Sequence, residues 1–223
     1  MMTPVPKPQH VVLFGRPGSG KSSIAERLSQ DHGFFLVRTG ELLREAVRRG
    51  DALGKQVEAT LKTGQLVSDA MIADLLRQSL QAPKERLLLF DGFPRTLGQT
   101  GMLAEFEKAL DFKVDCYLDI AVSHEAAVAR MSGRRVCPTC GATYHLMNHP
   151  PKVANVCDVD GAKLEQRRDD SVEVIEVRQR IYEENAGPIL AFYRAHHPDL
   201  FRVVDGEQSF DEVYAETCRT LGR

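Results

Sequence analysis

Gly15-Arg16-Pro17-Gly18-Ser19-Gly20-Lys21-Ser22 sets a glycine, four further residues, then Gly-Lys and a hydroxyl residue. The glycines let backbone N–H groups turn inward toward phosphate oxygens with no Cβ in the way. A helix after such a loop adds its positive N-terminal end. Both flanks that this arrangement needs are present. Val11-Val12-Leu13-Phe14 reads as a short buried strand, and residues 21–32 carry helical spacing with Ile24, Ala25 and Leu28 on one face. Gly15, Pro17, Gly18, Ser19 and Gly20 are therefore expected to wrap the phosphates of a nucleoside triphosphate. Lys21 would reach the β- and γ-phosphates, and a hydroxyl of Ser22 or Ser23 would serve the phosphates or a metal. The bland alternative is a glycine-rich turn that matches the pattern by chance. The loop says nothing about the acceptor.

Beyond the loop, apolar strands alternate with helical stretches. Strands are expected at 34–37, 87–90, 114–120 and 201–204. Helical patterns fall at 41–49, 53–63, 69–81, 99–110, 123–133, 171–197 and 209–220. This alternation predicts an α/β fold, a five-stranded parallel sheet with helices on both faces. The segment 134–170 breaks the rhythm with Pro138, Pro150, Pro151, Gly141, Gly161 and three of the five cysteines. It reads as a small inserted subdomain. No internal repeat is evident.

Composition narrows the partners. Formal net charge is −2, so nothing marks a polyanion such as nucleic acid as the main partner. Arginine supplies 20 of the 29 basic residues, which suits forked phosphate binding and is also a common surface habit. No apolar run approaches the roughly 20 residues of a membrane span. Residues 1–8 lack the pattern of a signal or transit peptide, so a cytoplasmic location is expected. In a reducing compartment, clustered cysteines suggest metal before disulfide.

Three further stretches make the chain resemble the adenylate kinase family over nearly its whole length. They are Arg38-Thr39-Gly40-Glu41-Leu42-Leu43-Arg44, Gly64-Gln65-Leu66-Val67-Ser68-Asp69, and Asp91-Gly92-Phe93-Pro94-Arg95-Thr96 followed by Gln99. The resemblance implies reversible, Mg²⁺-dependent phosphoryl transfer from ATP to AMP, giving two ADP. By position, Thr39 contacts the AMP base region, Arg44 and Arg95 its phosphate, Val67 (through its backbone) and Gln99 the adenine, with Gly92 beside them. Asp91 would hold water around Mg²⁺. Arg130, Arg134, Arg167 and Arg178 match four arginines that flank and enter the family's lid, where Arg130 and Arg134 face ATP and Arg167 and Arg178 also serve AMP. Lys21, Asp91 and Arg95 join these four as the expected catalytic set. Arg135 and Arg168 are adjacent decoys, and Arg180 reads as a surface helix residue. Asp169 and Asp170 match paired aspartates that bond lid arginines and the ribose; their plain role is capping the helix that begins near Val172.

Cys137-Pro-Thr-Cys140 puts two thiolates on one tight knuckle, near zinc-ribbon spacing, and Cys157-Asp-Val-Asp160 supplies a second pair. The family's commoner metal-binding lid has Cys where this chain has Asp160. Carboxylate oxygen also ligates zinc, so a structural Cys₃Asp site is expected, with Asp158 and His145 as rival fourth ligands and an empty or redox-labile lid as the alternative. Cys116 and Cys218 read as packing residues. Glu41 in place of the family's Asp, and Ser22-Ser23 in place of Gly-Thr, are further departures.

The expectation is one domain over 1–223, with an AMP-binding insert at 38–67 and the lid at 134–170, working as a monomer on ATP, AMP and ADP. Two alternatives stand beside it: a sister nucleoside-monophosphate kinase with another donor or acceptor, and a nucleotide switch whose zinc knuckle binds nucleic acid or protein.

Overall fold

The computed structural model describes residues 9–50, 52–80, 86–167 and 169–223. The leading stretch 1–8, the final position of the helix expected at 69–81, and Arg168 lie outside the described residues.

The described strands are β1 (Val11–Phe14), β2 (Phe35–Arg38), β3 (Leu88–Asp91), β4 (Cys116–Ala121), β5 (Arg134–Val136), β6 (Thr143–His145) and β7 (Phe201–Asp205). Five of them form one sheet in the order β2-β3-β1-β4-β7, and every pairing is parallel. Helices α1 (Lys21–His32), α2 (Thr39–Arg49), α3 (Ala52–Lys62), α4 (Asp69–Ser79), α5 (Leu97–Leu110), α6 (His124–Ser132), α7 (Val172–His196) and α8 (Phe210–Thr220) complete the chain.

The continuous apolar runs are explained by a sheet that is covered twice. Val12, Phe14, Val37, Phe90 and Tyr117 point into a core shared with α2, α3, α4, α5 and α7. Val11, Leu13, Leu89, Leu118 and Ile120 point the other way, against Ile24, Ala25 and Leu28 of α1 and Val213 and Tyr214 of α8. The expected fold is borne out. Its parallel order also brings the carboxyl ends of β1 and β3 side by side, with Leu13 opposite Asp91. Ligands of open α/β sheets bind beyond such ends.

Boundaries differ in places. Helix α2 starts at Thr39, straight from β2 and earlier than spacing indicates, because the Thr39 hydroxyl is buried and donates to Gly92 O at 2.7 Å. The cap of α7 is Ser171, whose side chain accepts from Val174 N, so neither Asp169 nor Asp170 caps that helix. Their carboxylates are turned instead toward arginines.

The 134–170 segment is not featureless. Strands β5 and β6 pair antiparallel, and bridges join Val136 to Glu165 and Val156 to Lys163. Its own core is Cys137, Tyr144, Cys157 and Leu164. A short repeat missed in the sequence lies here. Cys137-Pro-Thr-Cys140-Gly141-Ala142 and Cys157-Asp-Val-Asp160-Gly161-Ala162 close the same turns: the first cysteine's N–H donates to the alanine carbonyl at 2.9 and 2.8 Å, and its carbonyl accepts the glycine N–H at 3.0 Å in both. No helix among the described residues is long and apolar enough to cross a membrane.

Candidate active site

The glycine loop leaves β1 with Gly15 at φ 139° and Gly18 at φ 92°. A Cβ on Gly15 would lie 2.7 Å from Ile120 O, so the turn requires glycine by space as well as by conformation. Lys21 Nζ folds back onto Arg16 O at 3.1 Å. Burial lowers its pKa to about 8; Asp91 opposes that shift, while Arg95, Arg178 and Arg134 add to it. Of the two candidate hydroxyls, it is Ser22 Oγ that donates to Asp91 Oδ2, at 2.5 Å. Ser23 is exposed.

Arg95 is aimed by the turn before it. Its Nε donates to Gly92 O at 2.8 Å, and a Cβ on Gly92 would come within 2.5 Å of Arg95 Nη2 and 2.8 Å of Thr39 Oγ1. Gly92 sits at φ 83°. Burial lowers the Arg95 pKa, with Asp91 opposing and Arg44 adding to the shift. Arg44 is tied to Glu41 through Nε at 3.2 Å and Nη2 at 3.0 Å. Gln99 is buried; its Oε1 accepts the Arg95 N–H at 2.7 Å and its Nε2 donates to Asp69 Oδ1 at 2.7 Å.

At the mouth of the 134–170 segment, Arg134 forks onto Asp170. Arg167 reaches Asp169 at 3.2 and 3.3 Å, and Arg178 meets both carboxylates at 3.0 and 3.2 Å. Burial takes Arg167 and Arg178 each down to about 10. For Arg167 the neighbouring Arg134 is the next cause; for Arg178 the facing Asp169 opposes the shift and Arg134 adds to it.

Several of these groups line one cleft of about 440 Å³. Gly15, Pro17, Lys21, Arg44, Gly92, Arg95, Arg167 and Arg178 line it, as do Val136 and Gln166 of the insert and Leu43, Leu61 and Lys62 of the 38–67 segment. A smaller recess continues from it, lined by Thr39, Val67, Gln99, Gly92 and Arg95. Of the expected catalytic set, Arg130, Arg134 and Asp91 do not line the cleft. Arg130 lies behind the loop. Its guanidinium braces the back of the loop, donating to Ser19 O at 3.3 Å and Gly206 O at 2.8 Å. Arg135 turns to the Ser132 and Arg134 carbonyls, and Arg180 is exposed beside Glu184.

Sequence reading missed two supports of the loop. Arg16 pairs with Glu183 at 2.8 Å and lies over the Tyr182 ring at 5.1 Å. Gln179, fully buried, donates to Pro17 O at 2.9 Å. Nothing local marks either residue, because their partners lie more than 160 positions away.

In the insert, ligand atoms of Cys137, Cys140, Cys157 and Asp160 all lie within 4.8 Å of one another. Cys140 Sγ stands 3.6 Å from Cys157 Sγ, and Cys137 Sγ 3.2 Å from Asp160 Oδ2. A tetrahedral ion with sulfur ligands at about 2.3 Å and oxygen near 2.0 Å needs ligand separations of roughly 3.5–3.8 Å; the set lies around that range and its three thiols and carboxylate suit a metal ion. The rival ligands are not in the cluster, and the His145 ring lies against Gly133. His145 Nδ1 accepts the Met147 and Asn148 N–H groups, and Asp158 Oδ1 accepts from Lys152 N. Cys116 is buried in β4, where burial pushes its thiol up to about 11, and Cys218 lies 3.6 Å from His32 Nε2. Neither cysteine is in the cluster.

The sequence profile of the adenylate kinase family matches residues 13–197. The chain belongs to the adenylate kinase family. Among similar proteins, the adenylate kinase of Thermococcus kodakarensis is 39% identical over 205 residues, covering 92% of this chain and 90% of that one. That of Pyrococcus furiosus is 39% identical over 212 residues, covering 95% and 94%. A bacterial relative, the adenylate kinase of Petrotoga mobilis, is 38% identical over 211 residues, covering 95% and 96%. The expected enzyme class, a nucleoside-monophosphate kinase, stands with this membership, and neither alternative is favoured.

Proposed function

We propose that the cleft carries out reversible transfer of the γ-phosphoryl group of ATP to AMP, giving two ADP, with Mg²⁺ accompanying ATP. The observation that carries this reading is the convergence of Lys21, Arg95, Arg167 and Arg178 on one cleft that runs from the glycine loop to the recess at Gln99. Such a cavity takes polyphosphate at one end and a purine at the other.

Phosphoryl transfer asks little covalent chemistry of the protein; alignment and charge stabilisation do the work. Gly15–Lys21 holds the ATP phosphates, with Pro17 and Ser19 shaping the loop and Arg130 bracing it from behind. Arg44 and Arg95 grip the AMP phosphate, Thr39, Val67 and Gln99 hold its base, and Gly92 leaves room for the Arg95 fork. Arg134, Arg167 and Arg178, released from Asp169 and Asp170 by incoming phosphates, spread the charge of the transferring group. AMP phosphate is already an anionic nucleophile, so no general base is needed.

Asp91 and Ser22, hard oxygen donors at the ends of β3 and the loop, fit Mg²⁺ and would hold it with its water. When bound, that ion supplies electrostatic neutralisation of the phosphate oxygens. The metal of the insert is read as Zn²⁺, held by Cys137, Cys140, Cys157 and Asp160. With four protein ligands and no open position, its role is structural. Segments 38–67 and 134–170 close over the substrates within one domain spanning 1–223, excluding water so that AMP and not solvent accepts the phosphate. The same reading places a monomer in the cytoplasm, with neither nucleic acid nor membrane as partner.

The test is ³¹P NMR of the purified protein with Mg²⁺ and ADP alone. ATP and AMP should grow in equal amounts. Unchanged ADP would overturn the reading, and free phosphate without AMP would point to a nucleotide switch.

A further inference from the structure

Gln99 and Asp69 lie on different helices, 30 positions apart, and their contact fixes more than a distance. Gln99 is 2% exposed, and both ends of its amide are engaged. Oε1 accepts the Arg95 backbone N–H at 2.7 Å, while Nε2 donates to Asp69 Oδ1 at 2.7 Å. Each partner has one polarity only, since a backbone N–H donates and a carboxylate accepts. Turning the amide by half a revolution would set Oε1 against the carboxylate and NH₂ against N–H. Both bonds would be lost where water does not replace them, so the amide has a single orientation.

Asp69 is itself held. It opens α4, its Oδ2 lies 3.4 Å from Thr96 Oγ1, and Thr96 caps α5. Gly98 makes room for the carboxylate, because a Cβ there would lie only 3.2 Å from Asp69 Oδ2. Glycine, cap and carboxylate together form a rigid backing for the amide.

We infer that Asp69 is a specificity-determining positioning residue, locking the Gln99 amide in the orientation that admits a 6-aminopurine monophosphate and turns away a 6-oxopurine. This rests on the reading of the recess at Thr39, Val67 and Gln99 as the monophosphate base site. With its two bonds made, Oε1 keeps one lone pair and Nε2 keeps one N–H. A 6-aminopurine offers the complement, an amine N–H beside an acceptor ring nitrogen. A 6-oxopurine offers the reverse, a carbonyl beside a ring N–H, so like would face like on both contacts. A freely turning amide serves either base by flipping, and a locked one does not.

The experiment compares kcat/KM for AMP and for inosine monophosphate in the wild-type protein and in Asp69→Asn. Asparagine keeps the shape of aspartate but carries both polarities, so a turned Gln99 amide finds a partner at this end and the orientation is held by the Arg95 N–H alone. The wild type should prefer AMP strongly. In Asp69→Asn the preference should fall at least about tenfold, chiefly through a lower KM for inosine monophosphate, with kcat for AMP within a few-fold. Loss of stability and AMP rate with an unchanged preference would mean a merely structural role and would overturn the proposal. Should Asp69→Asn fail to fold, Asp69→Ser gives the same comparison. A wild type that phosphorylates neither monophosphate would overturn the base-site reading and this inference together, whereas AMP activity with an unaltered ratio overturns the inference alone.

Discussion

Arg134 grips Asp170 with two parallel donors, Nε 2.7 Å from Oδ2 and Nη2 2.5 Å from Oδ1. Asp170 has no exposed surface and also accepts from Arg178 at 3.2 Å. One carboxylate therefore ties the first strand of the insert to α7. Removing it in Asp170→Ala strips the counter-charge from the largely buried Arg134 and leaves Arg178 with Asp169 alone. The expected cost is about 3–5 kcal/mol in urea unfolding at neutral pH. A loss below about 1 kcal/mol would show that Asp169 takes over the pairing.

Lys21→Ala and Arg95→Ala act on the transferring charge and leave the two sheet cores intact. Neither side chain belongs to those cores. Each should cut kcat by about 10²–10³-fold or more, with far-UV circular dichroism unchanged. A near-normal rate in either variant removes that residue from the catalytic set.

Lys21 also sets a pH dependence. Its pKa stands at about 8 against an ordinary 10.5, with burial as the main cause. In the proposed function the ammonium holds the ATP phosphates, so kcat/KM for ATP should fall as pH rises through about 8, a value that reports the free enzyme. Stability moves the other way. Between about 8 and 10.5 the unfolded chain binds the extra proton, so this group's contribution makes stability rise with pH across that window. Rate profiles and denaturant titrations from pH 7 to 10 test both arms. The kcat/KM limb should be missing from Lys21→Gln, and its persistence there would assign it to another group.

The sheet was legible because fully buried parallel strands leave unbroken apolar runs such as Val11–Phe14, and because the glycine loop marks where one strand ends. Lys21, Arg95 and Asp91 were readable for a related reason: Asp91 ends β3, Arg95 stands four residues beyond it, and Lys21 opens the helix after the loop that leaves β1, so position along the chain brings all three to the carboxyl edge of the sheet. What escaped depends on partners remote in sequence. Asp69 meets Gln99 across 30 positions, and Arg16 meets Glu183 across 167. A buried glutamine such as Gln179 gives no periodic signal. The paired knuckles went unseen as a repeat because Asp160 replaces the expected cysteine and the second turn has no proline.

The departure at Asp160 also yields the last expectation. Its Oδ1 is shared, lying 3.3 Å from Cys137 Sγ while accepting Ala162 N–H at 3.0 Å. In the matching knuckle the backbone N–H of Cys140 reaches Cys137 Sγ at 3.4 Å. The turn that carries Asp160 is thus already shaped for a short ligand, since the first cysteine of each knuckle makes the same backbone bonds. Asp160→Cys should accommodate a fourth thiolate without backbone change, and a softer ligand set holds zinc more tightly. Competition with a chromophoric chelator should show at least about tenfold slower zinc release from Asp160→Cys, and faster release from Asp160→Ala. Because four buried side chains are the insert's whole core, two of them cysteine ligands, zinc loss should lower thermal stability there first. Amide exchange of 134–170 should quicken on chelation while β1, β3 and β4 stay protected. Equal release rates from all three proteins would remove Asp160 from the ligand set.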